Sequence, residues 1–267
     1  MSIRQYTPPR GRRRGVAPKA RIFLTTTLAL AILAQISYPL VSGESLRLLT
    51  IATVYLAALA MVIHAQLSYG RKYSTIYFFV TLLFGYGIEL LGVHSGWPFG
   101  IYSYDSSLGA ALLGVPLVVP FAWVSMVHPV LCAGRRIAGN WVFLYGGVLL
   151  AAWDLFVDSQ MVDAGRWTWT FDGAHIPFIK NVPLSNSLGW ILAGMAIVGL
   201  LHQILPVERR KESLNLGAVS AYLAWTLFAG IIGNIFFFHH IGLGLFGGTI
   251  FAALALPFLF SSWLGRP

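Results

Sequence analysis

The chain carries eight stretches of about twenty apolar residues, each long enough to cross about 30 Å of hydrocarbon as a helix rising about 1.5 Å per residue. They lie near 22–41, 47–65, 74–93, 110–132, 140–160, 187–206, 214–237 and 243–263. In lipid every backbone N–H and C=O must be satisfied inside the chain, and a helix does this by itself. Composition agrees: 57% of the 267 residues are hydrophobic and 10% are charged, whereas soluble domains carry about 25% charged residues. A water-soluble globule is thereby excluded. The first stretch exceeds a signal peptide's apolar core and no A-x-A site follows it, so it reads as an uncleaved span. The expected fold is all-α, a polytopic bundle of about eight transmembrane helices in the cell membrane.

Charge gives an independent check on the count. Of eighteen Lys and Arg residues, fifteen fall on one side of an eight-span model. These are Arg4, Arg10, Arg12, Arg13, Arg14, Lys19 and Arg21, then Arg71 and Lys72, Arg135 and Arg136, Arg209, Arg210 and Lys211, and Arg266. Arg47, Arg166 and Lys180 fall on the other. The positive-inside rule then puts both termini in the cytoplasm; a seven-span model scrambles the later loops. Residues 1–20, basic and broken by Pro and Gly, read as a disordered cytoplasmic tail, and 21–267 as one integral membrane domain. The formal charge of +9 in so apolar a chain suggests loops facing anionic membrane lipids rather than nucleic acid. The single cysteine, Cys132, excludes a disulfide framework and any Cys-based zinc or iron–sulfur site.

A charge at mid-helix in a bilayer costs at least about 2.5–3.5 kcal/mol, so embedded acids need a reason. Three lie within the expected spans: Glu89 near the outer end of the third, Asp154 and Asp158 near that of the fifth. The two aspartates, four residues apart, share a helix face. Odd-numbered spans run outward, which brings Glu89, Asp154, Asp158 and the end of the seventh span (Asn234, His239, His240) to a common depth. No Lys or Arg lies in spans three, five or seven to neutralise the acids. Gly96–Tyr104 and Gly165–Trp169, rich in Trp and Tyr, follow on the same side. Trp141 or Trp263 alone reads as an interfacial belt residue, but Gly- and Pro-pinned aromatic clusters suggest turns folded back over a cavity.

Histidine offers little for a metal. His239-His240 is the nearest approach to the repeated histidine boxes of membrane di-iron enzymes, and His64, His128 and His202 read as interfacial residues at cytoplasmic helix ends. No metal site is expected. No lysine lies mid-span to hold retinal as a Schiff base.

Four ordered motifs then stand out: Glu89-x-x-Gly92-x-x-x-Gly96-x-Pro98-Phe99-Gly100-x-Tyr102-x-Tyr104; Gly114-Val115-Pro116 with Pro120 and Trp123; Asp154-x-x-x-Asp158-x-x-Met161-x-x-x-Gly165-x-Trp167-x-Trp169; and Val182-Pro183-Leu184-x-Asn186-x-x-Gly189-Trp190. Together they resemble the membrane-integral carotenoid biosynthesis family of carotenoid 1',2'-hydratases and bisanhydrobacterioruberin hydratase. The resemblance is dense from about 85 to 190 and rests elsewhere on hydropathy. Ser159 and Ser187 depart from the family's pattern, and neither change removes a titratable group.

The resemblance implies addition of water to the terminal C1=C2 double bond of an acyclic or monocyclic carotenoid end, giving a tertiary alcohol with no organic or redox cofactor. It implies a lipid-soluble carotenoid as partner, among membrane lipids, and leaves room for other carotenoid biosynthesis enzymes. The residues fit that chemistry. Protonating the less substituted alkene carbon leaves a tertiary cation that water captures, so the protein must hold a protonated acid, a shelter for the cation and a water site. Apolar surroundings and a neighbouring carboxylate both favour a protonated acid. Asp154, Asp158 and Glu89 are the catalytic candidates, one aspartate giving the proton and another acid positioning water. Trp97, Phe99, Tyr102, Tyr104, Trp167, Trp169, Asn186 and Trp190 are the substrate-binding candidates, the aromatic faces worth about 2 kcal/mol against a desolvated cation. Asp105, Asn234, His239 and His240 are candidates to orient water or relay protons. A lipid-dissolved substrate also suits an apolar tunnel, open sideways, that ends in a small acidic pocket.

Two other readings remain at this point. A membrane prenyltransferase would use Asp154-x-x-x-Asp158 for magnesium diphosphate, but no second such motif exists and the charge bias puts this one outside. A proton-coupled transporter would use the acids as a relay, but the sequence shows no paired repeat.

Overall fold

The structure, a computed structural model, describes residues 16–206 and 216–264. Among the described residues eight helical stretches are long and apolar enough to cross a membrane: α1 (Pro18–Ile36), α2 (Gly43–Tyr69), α3 (Arg71–Ser95), α4 (Val118–Ile137), α5 (Val142–Asp163), α6 (Leu184–Ile204), α7 (Gly217–Ile232), which a π-helical turn prolongs to Phe237, and α8 (Ile241–Leu264). The chain is thus a multi-pass helical membrane protein. Most of the basic tail expected over 1–20, and with it Arg4, Arg10, Arg12, Arg13 and Arg14, lies outside the described residues, as do Arg209, Arg210, Lys211 and Arg266. The first helix starts at Pro18, slightly ahead of the expected domain boundary, with proline in the first turn, where its missing N–H costs nothing.

Helix ends follow local chemistry more closely than hydropathy does. The first span stops at Ile36 rather than 41, because Pro39 disfavours helical geometry at Tyr38 and the chain turns through a short 3-10 segment, Tyr38–Leu40. The fourth starts at Val118 rather than 110. The apolar residues before it form a hairpin of β2 (Ala111–Leu112) and β3 (Val115–Pro116), whose two turn residues, Leu113 and Gly114, both have positive φ, as a primed two-residue turn requires. Gly70 alone separates α2 from α3, at φ +97°.

The two helices that carry most of the packing are α4 and α5. Burial reaches 78% of the apolar stretch of α4 and 72% of that of α5, against 22% to 39% in the other six. On α5, Gly147 lets α6 approach until a Cβ there would stand 2.5 Å from the Ile191 carbonyl oxygen, the close backbone contact that small residues give membrane helices. Along α3, Tyr73, Tyr77, Thr81, Gly85 and Glu89 recur every four residues and all are buried. That polar face meets α4, where the Tyr77 hydroxyl donates to the Val124 carbonyl oxygen.

The interfacial reading of two histidines is overturned here. His64 on α2 and His128 on α4 are 0% exposed, and their rings bond to each other, Nδ1 to Nε2, at 2.9 Å. Ala57, Ala60, Ala65 and Met61 let α2 pack closely on α4, so the imidazoles face across that seam instead of reaching the surface. His202 is exposed at the end of α6 and accepts from Arg135 Nε at 3.3 Å. Trp141 and Trp263 are exposed, as belt residues should be.

Candidate active site

The loops that follow α3 and α5 close over one end of the bundle as a small ribbon. Strand β1 (Tyr102–Tyr104), after α3, pairs antiparallel with β4 (Trp167–Trp169), after α5, in the register Tyr102–Trp169, Ser103–Thr168 and Tyr104–Trp167. Alternate residues of a strand face opposite ways. Ser103 and Thr168 are therefore exposed, while Tyr102, Tyr104, Trp167 and Trp169 turn inward over the helix ends. The fit is close: a Cβ at Gly92, one turn above Glu89, would stand 2.6 Å from the Tyr102 hydroxyl. Nearby, α6 brings Gly189 against the Pro98 carbonyl and the Phe99 ring.

Beneath the ribbon Glu89 is buried and accepts three hydrogen bonds. Tyr102 donates to Oε2 at 2.6 Å, Tyr104 to the same oxygen at 2.7 Å, and Trp123 Nε1 to Oε1 at 3.0 Å. An indole N–H can only donate, so the pocket is built for an acceptor at that place. Burial, and then the neighbouring Glu89 carboxyl, push the Tyr102 and Tyr104 phenols above the ordinary tyrosine range.

Asp154 and Asp158 project from α5 to one amide. Asn186 Nδ2 donates to Asp154 Oδ2 at 3.0 Å and also to Asp158 Oδ2, and Trp167 Nε1 donates to Asp158 Oδ1 at 3.2 Å. The two aspartates also hydrogen-bond to each other, so Asp154, Asp158 and Asn186 form one linked group. Trp123 and Trp190 stack with ring centroids 4.3 Å apart and 8° between planes.

All three acids line one cavity of about 380 Å³, with Phe99, Tyr102, Tyr104, Trp167, Trp169, Asn186 and Trp190 in its wall. Ten of the residues singled out in the sequence thus share a single space. Others do not reach it. Trp97 is exposed and outside the wall. Asp105 is an exposed N-cap that accepts from the Ser107 N–H at 2.8 Å, and hydrogen bonding from the Ser107 side chain and then from its backbone holds the carboxyl below the usual range. His239, also exposed, takes a turn with φ +58°, and His240 meets Asp163 Oδ2 at 2.6 Å on the surface. Asn234 is buried behind the wall, in a π-helical turn at Gly233–Phe237, where it accepts from Ser159 Oγ at 3.2 Å. The sequence reading also omitted some wall residues: Trp123 stood in a motif without a role, and Gln35, Tyr38 and Trp225 were passed over as parts of apolar spans.

Comparison with known proteins follows the same residues. The family model for carotenoid biosynthesis proteins matches residues 48–252. The bisanhydrobacterioruberin hydratase of Haloarcula japonica is 36% identical over 125 residues, covering 43% of this chain and 40% of that protein's own length. No solved structure matches.

Proposed function

The chain belongs to the carotenoid biosynthesis protein family, and from that premise we propose that it is a carotenoid hydratase of the cell membrane. The reaction adds water across the terminal C1=C2 bond of an acyclic or monocyclic carotenoid end. It needs no organic or redox cofactor. The observation that carries this reading is the convergence of three buried acids with stacked aromatic rings in one cavity. The name of the Haloarcula relative, a hydratase, supports it.

Each group has a place in the chemistry. Asp154, hydrogen-bonded to Asp158 and sharing the Asn186 amide with it, gives its proton to the less substituted alkene carbon, C2. The π electrons form the new C–H bond, and C1 is left as a tertiary cation. Glu89, fixed by three donors, faces that cation as an anion, and Trp123 and Trp190 present π faces worth about 2 kcal/mol against a desolvated positive charge. Water attacks C1 and its surplus proton passes to Asp158, which shares the Asn186 amide with Asp154 and returns the proton to it. The sum is one water added and no net proton consumed.

The test is pigment analysis by mass spectrometry in a host that makes acyclic and monocyclic carotenoids. The wild-type chain is expected to add one water per reacting end. Asp154→Asn and Asp158→Asn should leave the anhydro precursor to accumulate. Normal product from both variants would overturn the assignment of the acids, and no hydrated pigment from the wild type would overturn the reaction.

A further inference from the structure

The cavity wall is not uniformly sheltered. Among the described residues that line it, four are exposed: Ile36 (49%) at the end of α1, Pro39 just after it, Phe228 (55%) on α7 and Phe237 (52%) in the π-helical turn that follows. Every one of them lies on the α1 or α7 side, and every one is apolar. At the opposite end Glu89, Asp154, Asp158 and Asn186 are at most 4% exposed. An opening with such walls suits hydrocarbon rather than water.

Between the two sides runs one polar link: Trp225 Nε1 on α7 donates to Gln35 Oε1 on α1, and both residues line the cavity. Elsewhere α7 is held tightly. A Cβ at Gly230 would stand 2.5 Å from the Phe156 ring of α5, and one at Gly248 of α8 would stand 2.5 Å from Ile231. Its packing against α5 and α8 leaves no slack, so separation at the seam with α1 is the economical movement.

We propose that the gap between α1 and α7 is the portal through which a linear polyene enters from the bilayer, and that the Gln35–Trp225 hydrogen bond is its latch. This rests on the carotenoid reading of the same cavity and adds to it where the molecule comes in. The portal admits an apolar chain lengthwise, tip first, while the acids receive the tip. Polar groups that pair across helices in lipid have few other partners, so the latch closes by default and opens at modest cost.

A double variant, Ile36→Cys with Phe228→Cys in a Cys132→Ala background, tests the portal when treated with a bifunctional thiol reagent in liposomes. Two quantities are read: carotenoid binding, by quenching of tryptophan emission, and hydrated product. Cross-linking is expected to abolish both. The control pair Phe143→Cys with Gly199→Cys, where a Cβ at 199 lies 3.3 Å from that of residue 143, clamps α5 to α6 and should retain both. If the cross-linked portal variant binds and converts carotenoid like the untreated one, the portal is refuted. If untreated protein binds carotenoid and makes no hydrated product, while cross-linking blocks binding, the portal stands and the hydration reading falls. Gln35→Leu should speed uptake about threefold, in line with the small worth of such bonds in membranes; an unchanged rate refutes the latch.

Discussion

Tyr104, on the ribbon outside the helices, donates to Glu89 Oε2 on α3 at 2.7 Å. A residue of the ribbon thereby fixes the orientation of a carboxyl inside the bundle. Tyr104→Phe removes the bond to Glu89, charge-assisted in the proposed reaction, while keeping the ring. Such bonds are worth about 1.5–3 kcal/mol, so the hydration rate should fall about ten- to a hundredfold with carotenoid binding retained. Rate and binding measured side by side check it; a variant that loses binding instead would give Tyr104 a packing role only.

The same phenols make a prediction about pH. Their raised values mean that the folded protein favours the neutral form. That contribution to stability is complete below the unfolded tyrosine value of about 10 and is lost as pH climbs through the higher folded-state values. In an absorbance titration of tyrosinate between about pH 9 and 11, Tyr102→Phe/Tyr104→Phe should show the same amplitude as the wild type, because neither phenol ionises there while the fold holds. A smaller amplitude in the variant would show that they do.

Two glycines should respond oppositely to alanine. At Gly189 an added Cβ would stand 2.7 Å from the Phe99 ring and 2.8 Å from the Pro98 carbonyl oxygen, whereas at Gly87 nothing lies within 4 Å. Gly189→Ala is expected to destabilise by about 1–3 kcal/mol through overpacking. Gly87→Ala should be neutral or stabilising by up to about 1 kcal/mol through helix propensity. Thermal unfolding in detergent distinguishes the two.

Removal of divalent cations separates the hydratase from a magnesium-dependent prenyltransferase. The hydration assay is expected to proceed unchanged with excess chelator, since each role in the proposed reaction falls to a carboxyl or an aromatic ring of this chain. Loss of activity that magnesium restores would favour the diphosphate chemistry that Asp154-x-x-x-Asp158 spacing also suits.

The sequence foretold the number of spans because twenty apolar residues in lipid have few other ways to satisfy their backbone. It pointed to Glu89, Asp154 and Asp158 for a related reason: acids placed so deep without a cation nearby are costly, and cost implies use. Helix rotation was harder to read. The face that His64 and His128 occupy depends on how α2 meets α4, which no local pattern states. The stacking of Trp123 on Trp190 and the bond from Trp225 to Gln35 join residues far apart in the chain and were hidden for the same reason. Residues 110–117 misled in another way, since Ala, Leu and Val there look like helix until Gly114 and Pro116 turn them into a hairpin. Trp97 shares its neighbours' composition, yet the turn directs it outward.

The exposed walls of the cavity lie on a single side of the bundle, with a consequence for pigments whose two tips are alike. With the proposed portal, a guest that slides in by one tip meets the buried acids at the far end. It must back out, tumble in the bilayer and be captured again end over end. The half-finished molecule is thus a free species between two separate visits, and its abundance early in a time course should exceed that of the fully converted one.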